Sequence, residues 1–124
     1  MKITEIAFSS YAVTDMARSR TFYEGVLGLK VTMETNMGGA GHWIEYDIGS
    51  GTLGIGRTEG WKPSSDGCTV ALEVENFDAA ISELKAANTH FRFEPMETPV
   101  CHMAIIHDPD GNPLIIHKRK PGHQ

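Results

Sequence analysis

The groups in this 124-residue chain able to hold a metal ion or move a proton are six histidines, sixteen aspartates and glutamates, and two cysteines. No pair among the histidines has the tight spacing of a known metal site, and Cys68 and Cys101 form neither a CxxC nor a CxH arrangement. The cysteines read as small buried hydrophobes of a reducing compartment. Gly38-Gly39-Ala40-Gly41 has neither the lysine nor the following helix of a phosphate loop. It reads as a connection between strands, with a lid as the alternative. Trp43 and Trp61 are the large aromatic groups able to stack on a flat ligand. Trp43 is expected to pack under a helix, and Trp61 to stand at an entrance or a subunit contact.

The bulk composition narrows the possibilities. At 13.6 kDa, with 40% hydrophobic and 22% charged residues, the chain has the make-up of one globular domain. A net charge of −5 argues against nucleic acid, whose binding needs a basic face to displace counterions. The run His117-Lys118-Arg119-Lys120 reads as a solvated C-terminal stretch. No apolar run approaches the roughly 20 residues that cross a bilayer. Met1 to Ile6 lead directly into a strand pattern, so a signal peptide is not expected, and the expected location is the cytoplasm.

The elements that must carry these groups repeat once. Ile3 to Val13 reads as a strand, and Asp15 is placed to cap a helix whose apolar face is Phe22, Tyr23, Val26 and Leu27. Gly28 ends that helix. Strands at 29–34, 42–48 and 52–57 follow, the latter two joined by Gly49-Ser50-Gly51. After a linker at 59–67 the order recurs. It comprises a strand at 69–75, a cap at Asn76 or Asp78, and a helix with Phe77, Ile81 and Leu84 on one face. Asn88 is its C-cap, and strands follow at 90–94, 101–107 and 114–118. One offset of 61 residues superposes the halves: Thr69 on Phe8, Val74 on Val13, Asn76 on Asp15, Asp108 on Asp47 and Ile115 on Gly54. The expected class is α+β. Residues 1–120 form a single domain of two βαβββ modules, about 1–58 and 68–120, followed by a tail at 121–124.

With Val13 to Leu29 (Asp15, Phe22-Tyr23 and Leu27-Gly28 above all) and Asp108-Pro-Asp-Gly-Asn-Pro-Leu114, the chain resembles the vicinal-oxygen-chelate superfamily. That superfamily includes glyoxalases, bleomycin-resistance proteins and extradiol dioxygenases. The likeness runs from Ile3 to about His117. It implies two modules whose curved mixed sheets enclose a cavity, and a homodimer. It also implies four metal ligands, one on the first and one on the last strand of each module. The matching positions are Phe8, Gly54, Thr69 and Ile115, which offer a hydrocarbon ring, no side chain, a neutral hydroxyl and an alkyl group. A divalent ion needs imidazole or ionised oxygen and sulfur donors. No metal or other cofactor is therefore expected, with a divalent metal at a relocated site as the alternative.

Strand alternation extends the inward set from those positions to Ser10, Glu73 and His117. For the third strands, the likeness places His42, Ile44 and Tyr46 inward, and with them Met103, Ile105 and His107. Glu73 is the candidate catalytic group, because burial among apolar neighbours would raise its pKa toward that of a general base. The primary expectation is a binding protein that sequesters a hydrophobic or aromatic small molecule. The alternative is a lyase or isomerase using Glu73 or a cavity histidine.

Overall fold

A computed structural model describes residues 1–122; of the expected tail, residues 123 and 124 lie outside the described residues. The chain divides into two compact units, Met1–Pro63 and Ser64–Gln124.

In the first unit, strand β1 (Ser9–Ala12) precedes helix α1 (Met16–Arg20), which continues as a π-helical segment over Thr21–Val26. Strands β2 (Val31–Asn36), β3 (His42–Ile48) and β4 (Gly51–Arg57) complete it. The sheet order is β1-β4-β3-β2, with β1 parallel to β4 and the other pairs antiparallel. Asp15 caps α1 by accepting the Arg18 amide at 3.1 Å, a contact worth about 1 kcal/mol. The wider π turn shows as the Leu27 amide bonding back five residues to the Phe22 carbonyl at 2.9 Å. Gly28 takes φ +73° and releases the chain into β2. The first strand is shorter than its pattern suggests: Met1 to Phe8 run outside the sheet, and Ile3 and Ile6 are 80% and 86% exposed.

The second unit repeats the plan with β5 (Val70–Glu73), α2 (Phe77–Ala86), β6 (Phe91–Glu97), β7 (Cys101–His107) and β8 (Pro113–Arg119), ordered β5-β8-β7-β6. Asn76 caps α2 through the Ala79 amide at 3.0 Å, and Asn88 adopts φ +58° past its end. The β7–β8 loop is locked by Asp108. Its carboxylate accepts the Asp110 and Asn112 amides and the Asn112 side-chain N–H, each at 2.9 Å.

Each helix covers one face of its own sheet. In the first unit Tyr23 lies parallel to Tyr46 with centroids 6.1 Å apart, and Ile44, Tyr46, Leu53 and Ile55 are fully buried beneath it. In the second, Leu84 joins Ala104, Ile106, Leu114 and Ile116. Burying such side chains contributes roughly 1.5–3 kcal/mol apiece for the larger ones.

Candidate functional site

The strand registers decide which side chains share the face opposite each helix. In the first unit Ser10 pairs with Gly54, Glu45 with Gly54, and Trp43 with Gly56. That face therefore carries Ser10, Trp43, Glu45, Gly54 and Gly56, with Phe8 continuing the alternation of β1. In the second unit Ala71 and Ile105 pair with Ile115, while Glu73 and Met103 pair with His117. The corresponding face carries Glu73, Met103, Ile105, Ile115 and His117, with His107 at its end. Thr69 is exposed just before β5.

One expectation about the first unit is overturned. Ile44 and Tyr46 lie on the helix-covered side with no exposed surface, and His42 shares their side of β3. Trp43 and Glu45 take the opposite face. The physical reason is a hairpin one residue longer in the second unit. Four residues separate the equivalent pair Asp47 and Thr52, and five separate His107 and Pro113. The 61-residue offset thus holds for Ser10 with Ala71 and Gly54 with Ile115 but falls to 60 for Trp43 with Met103. A one-residue slip moves every side chain of a strand to the other face.

Trp43 is the organising group of the first unit. A Cβ on Gly54 would lie 2.5 Å from its ring, and a Cβ on Gly56 2.8 Å from it and 2.7 Å from Trp61. The indole fits because both positions lack a side chain. Its N–H donates to the Glu45 carboxylate at 2.8 Å. Phe8 meets it edge-on at 5.3 Å, and Trp61 lies nearly parallel at 6.4 Å, tilted 23°. The result is an aromatic row of Phe8, Trp43 and Trp61. Beside it lies a cleft of about 190 Å³, lined among others by Met37, Gly41, His42, Trp43, Arg57 and Trp61.

The polar residues expected inside the first unit serve another purpose. The Tyr46 hydroxyl donates to Glu24 at 2.9 Å, Arg20 bonds the same carboxylate at 2.8 Å and reaches Glu34 at 3.4 Å, and His42 Nε2 meets Glu34 at 2.7 Å. Burial, followed by the Glu24 contact, pushes the Tyr46 pKa far upward, so its phenol stays protonated. The His42 contact is the main influence holding Glu34 below the usual carboxylate range.

In the second unit Glu73 Oε1 lies 2.5 Å from His117 Nδ1, and its other oxygen accepts the Arg119 amide at 2.8 Å. Desolvation pushes the Glu73 pKa up. The Arg119 amide, the His117 ring and the Arg119 guanidinium together outweigh it, and the net shift is downward. Glu73 is therefore an ionised, paired carboxylate, the opposite of the raised pKa expected of it as a base. His107 Nδ1 lies 2.9 Å from His90 Nδ1 with the rings 11° from parallel, while its Nε2 is buried without a hydrogen-bond partner. Burial first, then His90 and Arg92, hold His107 below the ordinary histidine value.

The four positions matching metal ligands do not fit a metal. Phe8 packs on Trp43, Gly54 lies beneath the indole, Ile115 is alkyl and Thr69 is a lone exposed hydroxyl. Among the described residues, no three His, Cys, Asp or Glu side chains cluster closely enough to hold an ion. No helix of the described residues is long and apolar enough to cross a membrane.

Paired βαβββ units with these registers define a glyoxalase-like protein whose usual metal positions lack donors. The sequence profile of the Glyoxalase/Bleomycin resistance protein/Dioxygenase superfamily matches residues 2–116, and the chain belongs to that superfamily. Among solved structures it is similar to TnmS3, an antibiotic binding protein from a Streptomyces species, at 21% identity and TM-score 0.76, covering 97% of this chain and 99% of that one. The trypanothione-dependent glyoxalase I of Leishmania major is 20% identical with TM-score 0.77, covering 94% and 87%. A glyoxalase/bleomycin-resistance/dioxygenase domain from Frankia is 17% identical with TM-score 0.78, covering 96% and 100%. No curated protein matches the sequence.

Proposed function

We propose that this protein binds a hydrophobic or aromatic small molecule without a metal ion, sequestering it rather than transforming it. The observation that carries this reading is the indole of Trp43 lying over Gly54, between Phe8 and Trp61, where metal-dependent relatives are expected to present a ligand to their ion. Offset and edge-on aromatic contacts contribute roughly 0.5–1.5 kcal/mol each beyond area burial. The fold likeness to an antibiotic binding protein supports the same direction. The working form in this reading is a cytoplasmic homodimer, which supplies cover for the exposed Ile3 and Ile6.

The test is isothermal titration of the full chain with a panel of planar aromatic compounds, followed by chromatography of the recovered ligand. The expected result is stoichiometric binding, weakened by Trp43→Leu, with the ligand returned unchanged. Binding indifferent to Trp43→Leu would sink the reading, and so would conversion of the ligand.

A second reading rests on the 2.5 Å contact between Glu73 and His117. A carboxylate on Nδ1 orients an imidazole and leaves Nε2 to take a proton. In this version His117 is the base and Glu73 positions it, as a lyase or isomerase would require. Turnover abolished by His117→Gln, and reduced by Glu73→Gln, would favour it over sequestration.

A further inference from the structure

The open face of the second unit carries a row of four side chains, one from each strand. Met96 on β6 pairs with Met103 on β7, Met103 with His117 on β8, and His117 with Glu73 on β5. Registered partners point to the same side of a sheet, with Cβ atoms about 4.5–5.5 Å apart in antiparallel pairs. Two thioethers and an imidazole therefore lie side by side across three adjacent strands. None is sealed in a core: Met96 is 50% exposed, and Met103 and His117 are half-buried.

The carboxylate at the end of the row fixes the imidazole. Glu73 Oε1 accepts from His117 Nδ1 at 2.5 Å, so that nitrogen carries the proton and Nε2 keeps its lone pair. Among the described residues Nε2 has no hydrogen-bond partner, and the buried polar atoms without one are Ser19 Oγ and His107 Nε2. The His117 lone pair is thus open to solvent. A carboxylate behind a histidine is how metal sites orient the ring and raise its basicity. The neighbouring cations do not occupy the row. The Arg119 guanidinium is held on Glu73 at 3.7 Å, and Lys118 pairs with His102 on the other side of the sheet.

The donor types decide the ion. Divalent ions are held by several imidazole, carboxylate or thiolate donors, and this row offers one free imidazole nitrogen. Thioether sulfur is a soft, neutral ligand that selects Cu(I). We propose that Met96, Met103 and His117 form a binding site for a soft monovalent cation of the Cu(I) class, with Glu73 as its positioning residue. The site goes beyond the small-molecule binding above and does not rest on it. It assigns His117 Nε2 to a metal, where the second reading gives that nitrogen a proton.

The test is a titration with Cu(I), kept reduced by ascorbate, into the full chain labelled with carbon-13 at its methionine methyls. Cys68→Ser removes the exposed thiol that would compete, while Cys101 is buried. At one equivalent the Met96 and Met103 methyl signals are expected to shift in the NMR spectrum. Those of Met1, Met16, Met33 and Met37 are expected to stay in place. Glu73→Gln should weaken Cu(I) about ten- to hundredfold in competition with a chromophoric chelator, the usual loss when an orienting carboxylate is removed. His117→Gln should abolish the paired shifts. A shift of only one of the two methyls, or of neither, overturns the proposal, and so do the same shifts produced by Zn(II). Cu(I) affinity indifferent to both substitutions overturns it too. The methyl signals of the unsubstituted row decide the case even where a variant fails to fold.

Discussion

The indole of Trp43 sits over Gly54 so closely that a Cβ on the glycine would fall 2.5 Å from the ring. A first-unit position that matches a metal ligand of the family is thus covered by an aromatic ring from the neighbouring strand. Glycine is required there by space rather than by backbone conformation, since Gly54 is not among the positive-φ residues.

Gly54→Ala should therefore push the indole out of its place. The expected cost is about 1–3 kcal/mol, the range for overfilling a packed site. Urea unfolding followed by tryptophan fluorescence reads both the stability loss and a changed emission maximum in the folded state. A neutral outcome in both would mean that Trp43 is not seated on the strand.

Asp108→Ala should be the most damaging single change in the second unit. It removes the acceptor for three hydrogen bonds, and Asp108 and Asn112 are only 4% and 3% exposed. The loss is expected at about 2–4 kcal/mol, because buried amides left unpaired carry their desolvation penalty. Thermal unfolding monitored by circular dichroism measures it, and Asp108→Asn should recover part.

The Tyr46 phenol should not ionise in the folded protein at pH values where free tyrosine does. Its folded pKa lies above its unfolded one, so its contribution to stability is complete below about 10 and is lost as pH rises toward the folded value. Ultraviolet absorbance titration of wild type against Tyr46→Phe should show one fewer phenol titrating above the ordinary tyrosine range in the variant. Tyr46→Phe also strips Glu24 of a donor, for a cost of about 1–3 kcal/mol.

His107 sets the opposite slope. Its folded pKa is depressed, so the unfolded chain binds more protons in the window between the two values. Its stabilising effect is present above about 6.5 and disappears as pH falls through the folded value. The urea midpoint should drop between neutral and mildly acid pH, and His107→Gln should flatten that drop. An unchanged slope would remove His107 from the account.

Much of the fold was legible because local chemistry specified it. Asp15 and Asn76 were readable as caps, Gly28 and Asn88 as helix stops, and β3 and β7 as strand-like segments with the bounds 42–48 and 101–107. The faces of β5 and β8 were read from strand alternation, and that of β7 from the family likeness. What could not be read was the register of β3. Both parities of His42–Ile48 contain apolar residues, and the deciding quantity is a hairpin shorter by one residue than its counterpart. The alternation Gly54-Ile55-Gly56 was the available signal: two glycines on one face of a strand leave room for a large side chain beside them. The π-helical turn had no counterpart in the pattern because its apolar face reads the same as that of an ordinary helix, and the Tyr46–Glu24 and Arg20–Glu34 contacts had none because they join separate elements. Glu73 was misjudged for a similar reason. Its partners His117 and Arg119 come from the neighbouring strand β8, over 40 residues away in sequence.

The most direct test is to strip the protein with a strong chelator, verify by elemental analysis that no transition metal remains, and titrate it with 2-naphthamide while following the joint emission of Trp43 and Trp61. The expected result is saturable quenching with the same midpoint before stripping, after stripping and after adding back zinc, nickel, manganese or iron. Binding that vanishes on stripping and returns with one equivalent of any of these ions would contradict it.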